Sequence, residues 1–90
     1  MDTAQTICIS GASSGFGAAC AREFGKDKQA RLILLARSAD KLQSLANEIG
    51  PERTLILPLD IQDKFQVIEA IETLTEPFRA VDILVNNAGL

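Results

Sequence analysis

A glycine-rich segment near the start of the sequence has the composition of an anion-binding turn. The stretch SGASSGFG, residues 10–17, has glycines at 11, 15 and 17 and lies between an apolar run and a segment of helical periodicity. Glycine allows the positive φ of a tight turn and lets the backbone approach a ligand closely. A helix that begins there directs unpaired N–H groups and the positive end of its dipole at an anion. The segment therefore predicts a phosphate-binding loop.

The glycine pattern alone allows two other interpretations of this loop. A phosphate-loop ATPase needs a lysine and then a serine or threonine after its last glycine, and the loop contains no lysine. A glycine-rich turn without any ligand is left open by the pattern alone. The spacing G-x-x-x-G-x-G also differs from the dinucleotide fingerprint G-x-G-x-x-G.

The rest of the chain predicts the elements that would position this loop. Four apolar runs are nearly continuous, which is typical of parallel strands covered on both faces; they are residues 5–10, 31–36, 53–59 and 81–86. Three segments of helical period lie between them, at 15–25, 40–49 and 63–75. The alternation predicts an α/β fold, a Rossmann-type doubly wound parallel sheet with strand order 3-2-1-4. We expect residues 1–90 to be the N-terminal part of one dinucleotide-binding domain.

Each helical segment has a stripe of residues expected to face the sheet. The three stripes are Phe16, Ala19, Cys20 and Phe24; Leu42, Leu45, Ala46 and Ile49; and Val67, Ile71 and Leu74.

Local signals agree with the expected ends of the elements. Gly50 followed by Pro51 predicts a helix C-terminus, and Asp63 with Gln66 predicts a capping box. Pro58 indicates that the third strand lies at the sheet edge, because proline cannot donate to a ladder.

Composition excludes several classes of function. The net charge is −3 and lysines and arginines form no cluster, which argues against nucleic-acid binding. No apolar run approaches the roughly 18 residues of a membrane span, and no signal peptide is evident, so we expect a cytoplasmic protein. The absence of histidine removes most zinc sites, and we expect no metal. Cys8 and Cys20 are interpreted as reduced, buried thiols.

Three motifs together carry a resemblance to a known family. SGASSGFG resembles the T-G-x-x-x-G-x-G motif of the short-chain dehydrogenase/reductase family, with Ser10 in place of threonine. LDI at 59–61 and NNAG at 86–89 are similar to two further signatures of that family, each near the end of a predicted strand. The resemblance spans all 90 residues and is strongest to the branch of bacterial 3-hydroxy acid and serine dehydrogenases. It implies hydride transfer between a nicotinamide and an alcohol/carbonyl substrate.

The resemblance also assigns cofactor contacts. Asp60 would bond the adenine amino group, the backbone of Ile61 would meet the ring, and Asn87, Ala88 and Gly89 would lie along the adenosine ribose. Asn86 would brace the sheet. The complete candidate set is Gly11, Ser13, Ser14, Gly15, Phe16, Gly17, Arg37, Ser38, Asp60, Ile61, Asn87, Ala88 and Gly89.

The end of the second strand indicates which dinucleotide is bound. An acid there would bond the ribose 2′-hydroxyl of NAD(H), but the sequence has Ala36 followed by Arg37 and Ser38. A guanidinium pairs with a 2′-phosphate, so we expect NADP(H) rather than NAD(H). The alternative for Arg37 is a solvated surface charge. Asp40, the competing acid, is expected in the first turn of the next helix.

We assign no catalytic role to any of the 90 residues. The family's tyrosine, lysine, serine and a further asparagine lie beyond N-N-A-G, and the chain contains no tyrosine. We therefore expect the catalytic remainder to be absent and the 90 residues to be inactive alone. A stand-alone, non-catalytic NADP-binding or interaction module is the alternative. The resemblance further implies a homo-oligomer, and the apolar fourth strand is expected to pair with another chain.

Overall fold

A computed structural model of the protein describes residues 4–13 and 15–87. The strands are β1 (Thr6–Ser10), β2 (Arg31–Ala36), β3 (Thr54–Pro58) and β4 (Ile83–Asn86). The helices are α1 (Gly15–Gly25), α2 (Ala39–Ile49) and α3 (Lys64–Glu72), with a short 3-10 turn at Pro51–Arg53 before β3. No helix in these described ranges is long and apolar enough to cross a membrane.

The sheet confirms the predicted topology. All described strands are parallel, in the order β3-β2-β1-β4. Pro58 is the last residue of β3 and pairs with Ala36 at the sheet edge, where its missing N–H costs no ladder bond. Because the strands are parallel, the residues that follow all four of them lie along one carboxyl edge of the sheet.

β4 differs from the expectation of a strand covered on both faces. Ile83 and Val85 pack against the core cluster of β1 and β2, whereas Leu84 on the opposite face is 68% exposed. A groove of about 660 Å³ runs over that face and is lined by Cys8, Val67, Ile71, Leu84 and other residues. The face of β4 that carries Leu84 is therefore left uncovered by α3.

Half of the predicted stripe of α1 faces the core. Cys20 and Phe24 are partly buried and pack against the core, whereas Phe16 is 69% exposed and Ala19 is exposed. The buried residues of this helix are smaller; they are Gly17, Ala18, Ala21 and Gly25. The periodicity of apolar residues gives weight to the larger side chains. The small buried residues instead let α1 lie close to the glycine loop and to α2.

The predicted buried stripes of α2 and α3 agree better with the structure. In α2, Leu42, Leu45 and Ala46 are buried and Ile49 packs against the core, as expected. The third helix ends at Glu72, short of the predicted residue 75, so buried Leu74 follows it rather than belonging to it. Ile71 is 38% exposed.

The predicted ends of the helices are largely correct. Gly50 has φ 142° and donates its N–H to Ala46 at the end of α2. Asp63 caps α3 by accepting from the N–H groups of Phe65 and Gln66.

Arg53 joins both helices to the sheet at the amino edge, a role that sequence analysis missed. Its guanidinium donates to the carbonyls of Gly25, Asp27, Ala30 and Ile49 at 2.7–3.0 Å. The carbonyls of Gly25 and Ile49 belong to the C-terminal residues of α1 and α2, where a cation is favoured by the helix dipole.

We expect Arg53→Met to lower the free energy of unfolding by about 2 kcal/mol, because it leaves partly buried carbonyls without their donor. Urea unfolding followed by circular dichroism measures this change. Arg79→Met, at an exposed arginine, is the matched control and is expected to change stability by less than about 0.5 kcal/mol. Equal effects of the two substitutions would contradict the role assigned to Arg53.

Both cysteines are free thiols, as predicted, but their environments differ. Cys8 lies in β1 and is 2% exposed, and burial raises the pKa of its thiol from 9.0 to about 11. Cys20 is only half-buried. Because the thiolate is the reactive form, Cys8 is protected by both burial and protonation.

At pH 8, iodoacetamide is expected to alkylate Cys20 in the folded chain at least about a hundredfold faster than Cys8, because burial both blocks access to the Cys8 thiol and raises its pKa. Peptide mass spectrometry measures both rates, and denatured protein serves as the control in which they become similar. The raised pKa also means that ionisation of Cys8 favours the unfolded chain only above pH 9, so stability should fall between pH 9 and 11. Similar alkylation rates in the folded chain would contradict this assignment.

Candidate functional site

The glycine loop lies at the carboxyl edge of the sheet, between the end of β1 and the start of α1. Gly11 has φ 67° and Gly15 has φ 51°, the left-handed conformation that glycine adopts without strain. Ala12 is buried and donates its N–H to the Leu35 carbonyl at 3.2 Å, which fixes the loop to the neighbouring strand.

Gly17 brings α1 into direct contact with this loop. A Cβ at position 17 would lie 2.1 Å from the Gly11 carbonyl oxygen and 2.8 Å from Nδ2 of Asn87. No side chain fits at such distances, so the residue is required for packing rather than for turn conformation.

Gly15 has the opposite environment. Chain neighbours and the helix backbone aside, a Cβ at this position would meet no heavy atom of the described residues within 4 Å, and the residue is exposed at the first turn of α1. The space beside the amino end of the helix is therefore open to a ligand, as the sequence predicts for a pyrophosphate.

The adjacent asparagines connect β4 to the loop. Asn87 donates from Nδ2 to the Gly11 carbonyl at 3.2 Å. In β4, Asn86 accepts from the Ser10 hydroxyl at 3.1 Å, consistent with the bracing role expected for it. Asp82, which sequence analysis did not select, extends the same pairing by accepting from the Thr6 N–H at 2.8 Å. The start and the end of β4 are thus both held to β1 by side chains.

The ends of β2 and β3 bring two predicted ligands together. Nη2 of Arg37 lies 3.4 Å from Oδ1 of Asp60, and the two side chains are 72% and 43% exposed. Ser38 is the N-cap of α2, where its hydroxyl accepts from the Lys41 N–H at 3.3 Å. Asp40 lies in the first turn of α2, as expected.

The segment after β3 forms a turn that fixes Asp60. Its Oδ1 accepts from the Gln62 N–H at 3.0 Å, and its carbonyl accepts from the Asp63 N–H at 2.9 Å. Gln66 does not complete the predicted capping box, because its Oε1 accepts from the Asp60 N–H at 3.4 Å instead. Ile61 is half-buried beside this turn. The only sequence signal for this Asp60–Gln66 contact was the polar side chain of Gln66, and the capping-box pattern had assigned that side chain to Asp63.

The remaining candidates have separate positions. Ser13 is half-buried in the loop, next to a small cleft of about 190 Å³ between α1 and α2. Phe16 projects from the first turn of α1. Ser14, Ala88 and Gly89 lie outside the described residues.

The sequence of this chain is similar to those of known dehydrogenases. The family model described as short chain dehydrogenase matches residues 5–90. Serine 3-dehydrogenase of Agrobacterium fabrum is 45% identical over 85 residues, which cover 94% of this chain and 33% of that protein. NADP-dependent 3-hydroxy acid dehydrogenase of Schizosaccharomyces pombe is 39% identical over 89 residues, covering 96% of this chain and 34% of that protein.

A solved structure matches the fold as well. The closed form of a serine dehydrogenase complexed with NADP+ superposes with a TM-score of 0.86 at 32% identity, covering 96% of this chain and 34% of that one. The chain thus spans about a third of the length of these relatives.

A matched pair of substitutions tests the two glycine roles. Gly17→Ala is expected to lower the free energy of unfolding by about 3 kcal/mol, because its Cβ requires a backbone shift. Gly15→Ala is expected to cost about 1 kcal/mol, which is the strain of a left-handed residue alone. Urea unfolding of both variants measures the difference, and a loss at position 15 equal to or above that at position 17 would contradict the packing role.

Proposed function

Because the chain belongs to the short-chain dehydrogenase family, we propose that its 90 residues form the NADP(H)-binding portion of an oxidoreductase. The complete enzyme would transfer a hydride between the nicotinamide and an alcohol/carbonyl substrate. One observation carries the proposal: an open glycine loop at the start of α1 shares the carboxyl edge of a parallel sheet with an exposed arginine that follows β2. Ligands of open α/β sheets bind at this edge.

The loop supplies the pyrophosphate site in this proposal. The first N–H groups of α1 have no partner within the helix, and an anion there is favoured by the dipole. Gly15 leaves room for the phosphate groups, while Gly17 and Asn87 hold the loop against α1 and β4. The bound dinucleotide would supply the hydride chemistry, and these residues would bind and orient it.

Arg37 sets the proposed preference for NADP(H). Ala36 ends β2 and is 4% exposed, so no carboxylate occupies the position that would bond a ribose 2′-hydroxyl. The Arg37 side chain is solvent-accessible next to that position and can form charge-assisted bonds to a 2′-phosphate. The names of two relatives support this choice, since one is NADP-dependent and the other is complexed with NADP+.

Proton transfer is proposed to require the rest of a complete enzyme. The chain contains no tyrosine and no histidine, and the relatives are about three times as long. We propose a hydroxy acid as the substrate class of the complete enzyme, which the names serine 3-dehydrogenase and 3-hydroxy acid dehydrogenase support.

The Arg37→Ala variant tests the cofactor assignment. NADPH affinity is expected to fall at least about tenfold, since a hydrogen bond to a charged group contributes roughly 1.5–3 kcal/mol, while NADH affinity should change less than about twofold. Fluorescence titration of each reduced cofactor measures both dissociation constants. Arg79→Ala is the control, at an exposed arginine in the segment before β4. Equal NADPH affinity in wild type and Arg37→Ala would contradict the proposal.

A further inference from the structure

The Arg37–Asp60 ion pair joins two side chains that the proposed NADP(H) site assigns to different parts of the cofactor. Arg37 is assigned to the 2′-phosphate and Asp60 to the adenine amino group. In the structure, however, Nη2 of Arg37 lies 3.4 Å from Oδ1 of Asp60. The guanidinium that should receive the phosphate therefore already has an anionic partner.

The two members of the pair differ in how firmly they are held. Oδ1 of Asp60 also accepts from the Gln62 N–H at 3.0 Å, and the Asp60 backbone is bonded to Gln66 and Asp63. The carboxylate is thus part of a turn. The Arg37 side chain is long and 72% exposed, so it is the member that is free to rotate.

The Arg37–Asp60 ion pair is weak, which favours the replacement of Asp60 by a phosphate as the partner of Arg37. Exposed ion pairs contribute little to stability, and this one is long and joins a single nitrogen to a single oxygen. A phosphate carries more charge and offers a guanidinium a bidentate partner at shorter distance. Arg37 can therefore leave Asp60 for a 2′-phosphate, but the exchange costs the energy of the ion pair.

We propose that Asp60 is a specificity-determining residue that competes with the 2′-phosphate for Arg37 and so limits the preference for NADP(H) over NAD(H). This inference rests on the proposed function. Asp60 acts through Arg37 here, so its effect must depend on that side chain. A ligand without a 2′-phosphate leaves the ion pair intact and does not experience the competition.

Two small probes isolate the effect: adenosine 2′,5′-bisphosphate and 5′-AMP, which differ only in the 2′-phosphate. Their affinities for the 90-residue chain are measured by NMR titration of backbone amides. Asp60→Asn keeps an oxygen that can accept from the Gln62 N–H, so the turn is retained, and Asp60→Ser is a second variant that keeps an acceptor. Either variant should raise the affinity ratio of bisphosphate to AMP about threefold, within the range of exposed pairs.

Two further variants separate competition from general electrostatics. Asp40→Asn changes the net charge equally, in the first turn of α2, and should alter the ratio by less than about 1.5-fold because of screening. In an Arg37→Ala background, Asp60→Asn should likewise lose most of its effect. The gain from Asp60→Asn should also shrink as salt is raised.

The outcomes distinguish this inference from the function on which it rests. If wild type binds the bisphosphate no more tightly than AMP, the proposed NADP(H) site is wrong. If wild type prefers the bisphosphate and Arg37→Ala abolishes that preference, the site stands. An unchanged or lowered ratio in both folded Asp60 variants would then overturn the competition alone, as would an equal gain in Asp40→Asn.

Discussion

The contact between the Gly11 carbonyl and Gly17 is the constraint on which the candidate site depends. It brings the first turn of α1 against the loop that follows β1, at a distance where any Cβ would overlap the carbonyl oxygen. Asn87 bonds the same oxygen from the end of β4, so three segments meet at one backbone atom. The positions of the helix N-terminus, of the loop and of β4 are consequently set together. A shift at this contact would alter the space beside Gly15 in which a phosphate is proposed to bind.

The opposite edge of the sheet has a comparable joint at Arg53. Its guanidinium bonds carbonyls from the last residues of α1 and α2 and from the segment before β2. Gly25 lies close to Ile49 at the same place, so α1 and α2 approach each other there. The contacts at these two edges of the sheet have different roles. The one at Arg53 stabilises the layer of helices, and the one at Gly17 shapes the edge where ligands of such sheets bind.

Sequence patterns predicted the topology well because they depend on periodicity and on glycine and proline. Pro58 indicated the edge strand, Gly50 indicated the end of α2, and the apolar runs located all four described strands. The face of α1 was predicted only in part. Cys20 and Phe24 pack against the core, but an apolar period gives weight to the exposed Phe16 and none to the buried Gly17. Arg53 and Asp82 were missed for a related reason. Their partners are backbone atoms distant in sequence, and no local spacing indicates such contacts. The candidate ligands Arg37 and Asp60 were each selected, but their ion pair follows only from the adjacency of β2 and β3.

Amide NMR of the isotope-labelled chain titrated with NADP+ shows directly whether the glycine loop and the end of β2 bind a 2′-phosphorylated dinucleotide. We expect the largest chemical-shift changes at Gly11, Ser13, Gly15, Gly17 and Arg37, and a much smaller change at Arg37 with NAD+ at equal concentration. An absence of shifts at the loop, or changes confined to the apolar groove around Val67, Ile71 and Leu84, would contradict binding at this site.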